Sequence, residues 1–259
     1  MFDSSVTDQA AFTTNNVDPI WDAETITHKL ETHLSKGLPS ALSIRNSYVE
    51  ALSHRDESCP SLLAPNTLVG TWEGGCSTET HYFYGTGIFF EVENTTPEIP
   101  YEMSLQSSFE IMTQNEHFIA GGISTRFEMI RGAEYLIEET IGGTYQYENG
   151  PQWLQEGISA SFRYEIITEN NHARGYLDGG VSYLDLSLEF SMLQFDHNDC
   201  DYPFGDLFIR DPTGMWFTLQ FTDCSGCGTL SWMEAEIDRV CIGDQLWQGI
   251  DTLSQLERE

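Results

Sequence analysis

The chain reads VSYLDLSLEFSM from Val181 to Met192, and apolar residues alternate with polar residues along this stretch. A period of two residues is typical of a β-strand, because successive side chains point to opposite faces of a sheet. One predicted face, which we expect to be buried, carries Leu184, Leu186, Leu188, Phe190 and Met192. The other, solvated face carries Tyr183, Asp185, Ser187, Glu189 and Ser191. One buried and one solvated face predict an antiparallel strand.

The same alternation begins near Leu68 and recurs along most of the chain. It marks residues 87–93, 105–112, 123–130, 160–167, 206–210 and 215–221. We therefore expect a mainly β protein whose antiparallel β domain covers residues 59–244. Its turn-rich part at 194–244 holds four cysteines, and residues 245–259 are expected to form a tail.

An internal repeat accompanies the alternation. Four segments share an aromatic residue, an apolar or bulky residue, two variable residues, a glycine and a β-branched residue. They begin at Phe83, Phe118, Trp153 and Tyr176, at separations of 35, 35 and 23 residues. A spacing near 35 residues fits two strands per unit and predicts a repetitive antiparallel β-meander. The glycine indicates a bulge or bend in a strand, or a turn with positive φ. The apolar face could be buried in a barrel, a sandwich or a solenoid-like sheet, and the sequence leaves these open.

The N-terminal part predicts a short helical hairpin at residues 18–58, preceded by a flexible arm at 1–17. In the first helix Asp22 is the expected N-cap, and Ile26, Leu30 and Leu34 repeat at helical spacing before Gly37. Pro39 and Ser40 open the second helix, which ends near His54. Its candidate buried residues are Leu42, Tyr48, Val49 and Leu52.

Composition excludes several classes of function. The chain has 11 Lys and Arg against 41 Asp and Glu, a formal net charge of −30. Nucleic acids and anionic membranes need cationic partners, so neither is an expected ligand. The sequence has no run of 18 or more apolar residues, so no transmembrane helix is predicted. A strongly acidic surface is instead expected to keep the protein soluble or to attract cations.

Six cysteines support an oxidising compartment. Cys59, Cys76, Cys200, Cys224, Cys227 and Cys241 are even in number, and three disulfides are the expected arrangement. A bond between Cys59 and Cys76 would tie the helical segment to the first strand. The alternative is a structural zinc site formed by Cys200, Cys224, Cys227 and Cys241, because Cys224 to Gly228 has the C-x-x-C-G form of a zinc knuckle. Neither Cys200 nor Cys241 has a C-x-x-C neighbour, which favours disulfides.

The location of the protein follows from the cysteines. The first residues lack the basic and apolar regions of an export signal. Because the six cysteines favour an oxidising compartment, we nevertheless expect an extracytoplasmic or secreted protein whose leader is absent from this sequence. A cytoplasmic protein is the alternative.

Calcium is the one candidate cofactor. Asp196, Asn198, Asp199 and Asp201 offer oxygen ligands within six residues, although EF-hand spacing is not met. An Asx-rich turn is the simpler interpretation.

No catalytic motif is predicted, so we favour a role without catalysis. The sequence has no G-x-S-x-G, H-E-x-x-H, Walker or G-x-G-x-x-G element. Glu138 and Glu139 are a carboxylate pair of the kind used in glycoside hydrolysis, but 41 acids make such pairs inevitable. His81, His117 and His172 lie close to three of the repeat units and would meet at a metal only if the sheet curled; strand-end positions are the simpler interpretation.

Two resemblances carry expectations of their own. Leu68 to Gly74 resembles the G-x-W opening of lipocalin-like barrels. The chain also resembles predicted secreted or lipoprotein-like proteins of the myxobacterial type over most of its length. The segments concerned are Cys59-Pro60, Trp72 to Thr78, Gly205 to Trp216, Cys224 to Gly228 and Val240-Cys241. The second resemblance implies export and disulfides and implies no activity.

The sequence therefore predicts an exported, acidic, non-catalytic β-rich protein with a structural or binding role. A lipocalin-like carrier of a small apolar ligand and a secreted enzyme acting on glycans are the alternatives. The expected partner is an unidentified protein or small molecule, and self-assembly is also compatible with a repetitive sheet.

Overall fold

The computed structural model describes residues 19–62, 69–96, 98–113, 116–170, 172–196, 200–246 and 248–249. The predicted arm at 1–17 lies outside the described residues, as does most of the predicted tail at 245–259.

Two helices precede the sheet, and both begin where predicted. Helix α1 spans Ala23–Leu34, where the Asp22 carboxylate accepts a hydrogen bond from the Thr25 N–H at 2.8 Å. Helix α2 spans Ala41–Ser53 and follows the Ser40 cap. The predicted burial of Ile26, Leu30, Leu34, Leu42 and Tyr48 is confirmed. Val49 was predicted to be buried and is 41% exposed, because it faces away from the sheet.

Fourteen strands form one sheet in the described part of the chain, and a short helix α3, Gln152–Gln155, interrupts them. The strands are β1 Ser61–Leu62, β2 Val69–Glu73, β3 Cys76–Ser77, β4 Tyr82–Thr96, β5 Ile99–Met112, β6 His117–Arg131, β7 Glu134–Tyr147, β8 Ile158–Glu169, β9 His172–Ser182, β10 Ser187–Asp196, β11 Cys200–Arg210, β12 Trp216–Phe221, β13 Cys227–Trp232 and β14 Ala235–Cys241. Residues 243–246 are also helical. No helix among these residues is both long enough and apolar enough to cross a bilayer.

The sheet is an antiparallel meander, as predicted. Each strand from β4 to β13 pairs with the next strand in the chain, β2 and then β1 continue the sheet beyond β4, and β3 pairs with β4. The sheet does not close on itself, so it is not a barrel. A lipocalin-like barrel therefore does not describe this fold.

The helices bury the apolar face of the open sheet, which we call the inner face. Tyr48 in α2 accepts a hydrogen bond from Trp72 Nε1 in β2 at 3.1 Å, while α1 contacts β14. Eleven strand-to-strand steps separate β2 from β14, roughly 50 Å in a flat sheet. Each helix is only roughly 20 Å long. One end of the sheet reaches α2 and the other reaches α1, and only six residues separate these helices, so the sheet must curve around them.

The stretch from Val181 to Met192 is part of a hairpin and not a single strand. Strand β9 ends at Ser182, β10 begins at Ser187, and the Tyr183 N–H donates to the Leu186 carbonyl at 2.8 Å. Leu184 lies in this turn and is 95% exposed, so its predicted burial is wrong. Ser182, Asp185 and Ser187 supply the small or polar residues that a tight turn favours.

The expected position of Tyr183 on the solvated face is also wrong, because Tyr183 is only 8% exposed. Met192 is a further exception within that stretch. Its φ of +47° marks a bulge, and the pairing of β10 with β9 shifts between Phe190 and Leu193. The extra residue changes which side chains face inward beyond it. Leu188, Phe190 and Leu193 are buried, and Met192 is 49% exposed.

The repeat glycines occupy two kinds of position. Gly122 lies within β6, where an added Cβ would come 2.1 Å from the Gly142 carbonyl oxygen of β7. Gly87 in β4 and Gly180 in β9 are also within strands. Gly157 instead has a φ of +78° in the turn between α3 and β8, and Trp153 of the same unit is helical. Three of the four units are therefore strand segments, and the unit at Trp153 is not.

The hairpin between β9 and β10 predicts that truncating one of two neighbouring leucines is costly and truncating the other is nearly neutral. We expect Leu186→Ala, which empties a buried site, to lower the free energy of unfolding by about 2–5 kcal/mol. Leu184→Ala should change it by less than about 0.5 kcal/mol. Urea unfolding followed by circular dichroism measures both. Equal losses in the two variants would indicate a continuous strand with both leucines inside.

Candidate functional site

All six cysteines form disulfides in the structure. The pairs are Cys59–Cys76, Cys200–Cys224 and Cys227–Cys241. The first pair joins the segment after α2 to β3, close to the predicted tie between the helices and the first strand. At the far end of the sheet, Cys200–Cys224 joins β11 to the turn after β12, and Cys227–Cys241 joins β13 to β14. Zinc would need thiolates, and each of its four predicted ligands is bonded to another cysteine instead.

The calcium candidates are only partly described. Asp196 ends β10 and is half-buried at the rim of an open depression of about 460 Å³. Asn198 and Asp199 lie outside the described residues, and the side chain of Asp201 is not described. Calcium binding at this turn stays a prediction.

The Glu138–Glu139 pair points to opposite faces of β7. Glu138 lies on the outer face and contacts Arg163 at 2.8 Å, with both side chains partly exposed. Glu139 is completely buried on the inner face. The two carboxylates cannot act on one bond, so they are not a glycosidase pair.

Glu139 instead anchors α2. One of its oxygens accepts a hydrogen bond from the N–H of Ala41, the first residue of α2, at 2.6 Å. The other binds the guanidinium of Arg126 at 2.6 Å, and Arg126 also contacts Glu128 at 2.8 Å. Burial alone would lower the pKa of Arg126, but these carboxylates outweigh it and raise that pKa. The carboxylate therefore faces both a cation and the positive end of a helix dipole.

A second buried ion pair holds the middle of α2. Arg45 contacts both carboxylate oxygens of Glu91 in β4, at 3.1 and 2.9 Å. Tyr101 of β5 donates a hydrogen bond to the same carboxylate at 2.7 Å. Burial and this carboxylate raise the pKa of the Tyr101 hydroxyl above its ordinary range. The acids of these two networks position the helix and are not accessible to a substrate.

The three histidines near the repeat units have different surroundings. His117 contacts Glu110 at 2.6 Å on the outer face of the sheet. The side chain of His172 is not described. His81, just before β4, is 6% exposed and stacks on the ring of His54, with a centroid separation of 4.2 Å.

His54, His81 and Glu116 form a cluster of potential metal ligands. One nitrogen or oxygen from each lies within 4.8 Å of the other two. The Nδ1 atom of His81 is 2.7 Å from the Thr80 hydroxyl, whereas its Nε2 atom is buried without a hydrogen-bond partner. Burial lowers the pKa of His81, and His54 adds to this against the charge of Glu116.

Sequence reasoning missed this cluster because its members are distant in the chain. His54 ends α2, His81 precedes β4 and Glu116 precedes β6. The proximity of His81 and His117 to the repeat units was the available signal. It pointed to His81, but nothing in the sequence indicated that His54 or Glu116 lies beside it.

A further histidine joins α1 to the hairpin between β9 and β10. The Nε2 atom of His33 is 3.1 Å from an Asp185 carboxylate oxygen, and Lys29 binds the other oxygen. Burial lowers the pKa of His33, and Lys36 adds to the effect. Burial raises the pKa of Asp185, but Lys29 and His33 outweigh it and lower that pKa. This group fixes the hairpin to the helix.

The outer face of the sheet carries a shallow groove. Five small residues lie side by side in successive strands β4 to β8, and all are exposed: Thr86, Ser108, Gly121, Thr144 and Ser159. Tyr84, Ile88 and Ile123 lie on the same face beside this row and are 45–48% exposed. The floor holds an open depression of about 380 Å³. We call this surface the small-residue groove.

Comparison with known proteins adds no family to this geometry. No protein-family model, no curated protein and no solved structure matches the chain.

The two adjacent glutamates predict a large difference in stability. Glu139→Gln should lower the free energy of unfolding by about 3–5 kcal/mol, because it leaves the buried Arg126 without a full counter-charge. Glu138→Gln, which removes only a partly exposed ion pair, should cost about 1 kcal/mol or less. Denaturant unfolding of both variants measures the difference. A Glu139→Gln protein as stable as the Glu138→Gln protein would contradict the anchoring role.

Proposed function

We propose that the chain is an exported, non-catalytic binding protein that holds an extended, uncharged ligand on the outer face of its sheet. The small-residue groove is the observation that carries the binding role. It crosses five strands, and the helices on the inner face leave it open.

The groove suits a chain-like ligand for two reasons. Its row of small residues lets a ligand approach the sheet closely, and Thr86, Ser108, Thr144 and Ser159 offer hydroxyl groups for hydrogen bonds. Tyr84 and the exposed isoleucines beside it supply apolar contact area. A neutral polymer can use both the hydroxyl groups and the apolar contact area, whereas the net charge of −30 disfavours anionic polymers.

The disulfides support export. Structural disulfides persist in oxidising compartments and are rare where glutathione keeps thiols reduced. Loops of 14 to 24 residues make each of them worth about 3 kcal/mol in the chain-entropy account. The resemblance to predicted secreted proteins of the myxobacterial type agrees with this location.

The export proposal predicts that the native protein has no free thiol. Unfolding without reductant in the presence of an alkylating reagent should add no label by mass spectrometry. The same treatment after reduction should add six labels, one per cysteine. Six labels on unreduced protein purified under non-reducing conditions would overturn the extracytoplasmic location.

The binding proposal predicts that filling the groove with a large side chain strongly weakens ligand binding. Thr144→Tyr places a large side chain in the row, and tyrosine is well tolerated in strands. Binding to arrays of neutral glycans and of uncharged extended peptides should fall at least about tenfold. Thr140→Tyr is the matched control, because Thr140 is exposed on the same face of β7 but lies outside the row.

Two results would count against this function. One is the absence of any array ligand for the unmodified protein. The other is equal binding by Thr144→Tyr and Thr140→Tyr, which would place the contact elsewhere.

A further inference from the structure

We propose that His54, His81 and Glu116 bind one divalent transition-metal cation of the Zn²⁺ type. This site is separate from the groove and does not depend on the proposed ligand.

His81 gives the first reason. Its side chain is 94% buried, and the Nε2 atom has no hydrogen-bond partner. Buried polar atoms in proteins nearly always have a partner, so an unsatisfied one calls for an explanation. The Nε2 atom belongs to the ring that meets His54 and Glu116, and a bound cation would satisfy it.

Thr80 gives the second reason. Its hydroxyl is 2.7 Å from Nδ1 of His81. When Nδ1 carries the proton and donates to this hydroxyl, Nε2 presents its lone pair. Metal-binding histidines usually have such a partner on the other ring nitrogen, which fixes the tautomer and the ring orientation.

The three residues are close together, but the rings of His54 and His81 are stacked 10° from parallel and do not yet aim their nitrogen lone pairs at one point. The three ligand atoms lie within 4.8 Å of one another. Tetrahedral Zn–N bonds of about 2.0–2.1 Å require ligand atoms about 3.3 Å apart. His81 is fixed by burial, while His54 is exposed just after α2 and Glu116 is half-buried just before β6. Metal binding therefore requires the exposed His54 side chain to leave the stack and adopt a rotamer that turns a ring nitrogen toward the cation, with a smaller shift of Glu116.

The donor set selects the class of cation. Two imidazoles and one carboxylate match sites of Zn²⁺ and neighbouring transition metals, whereas Ca²⁺ and Mg²⁺ prefer oxygen ligands. Three protein ligands leave a fourth position for water or for a group from a partner. The acidic protein also raises the local concentration of cations.

Calorimetric titration of the untagged, oxidised full-length protein with Zn²⁺ tests the proposal. Excess Mg²⁺ in the buffer suppresses weak binding to the many surface acids. We expect one equivalent of Zn²⁺ to bind. His54→Gln and Glu116→Gln should each weaken binding by about tenfold or more, and both residues are accessible enough for the variants to fold.

His117→Gln is the matched control. His117 is next to Glu116 in the chain but contacts Glu110 on the outer face, so its loss should leave the affinity unchanged. Co²⁺ provides a second readout, because its visible absorption becomes intense in a four-coordinate site. That absorption should disappear in His54→Gln and persist in His117→Gln.

Each contrary outcome overturns the site. No stoichiometric Zn²⁺ binding in excess Mg²⁺ would do so, as would an affinity unchanged by His54→Gln and Glu116→Gln. A loss of affinity in His117→Gln as large as in Glu116→Gln would move the site to the outer face.

Discussion

The docking of α2 onto the inner face of the sheet is the interaction on which the rest of the structure depends. An open meander leaves a wide apolar face that water would otherwise cover, and helices α1 and α2 supply the apolar surface to bury it. Glu139 fixes where the helix begins, since its carboxylate binds both the Ala41 N–H and Arg126. Arg45 and Glu91 then fix its rotation. Because isolated charges are costly to bury, these pairs restrict the helix to the one position that satisfies them.

An open sheet has two free edges, and the disulfides lie near both. Cys59–Cys76 joins the end of the helical hairpin to β3 beside the first strands. Cys227–Cys241 joins the two last strands, and Cys200–Cys224 joins β11 to the turn after β12. Edge strands gain least from neighbouring strands and are the most exposed to unwanted pairing. Covalent ties at both ends reinforce the regions where hydrogen bonding supports the sheet least.

Local sequence patterns predicted the elements better than the faces or the site. The period of two, the Asp22 cap, the start of the second helix at Ser40 and the helical spacing of Ile26 are local signals, and each was confirmed. Leu184 and Met192 escaped prediction because a turn and a bulge change the parity of a strand without changing its composition. Strand β6 is a stronger case: its alternation would place Ile123 and Phe127 inside, yet Arg126 and Glu128 are the buried residues. Their partners Glu139 and Tyr135 come from β7, which the sequence of a single strand does not reveal.

The shortage of cations connects the interior of the protein with its surface. At least seven of the 11 lysines and arginines pair with acids among the described residues. Two of those seven, Arg45 and Arg126, pair with acids between α2 and the sheet. Most of the 41 acids must therefore be neutralised by ions from solution. Surface carboxylates alone discriminate little among such ions, because oxygen ligands suit most of them. Two imidazole nitrogens beside one carboxylate at His54, His81 and Glu116 add the ligand type that separates a transition metal from the surrounding counter-ions.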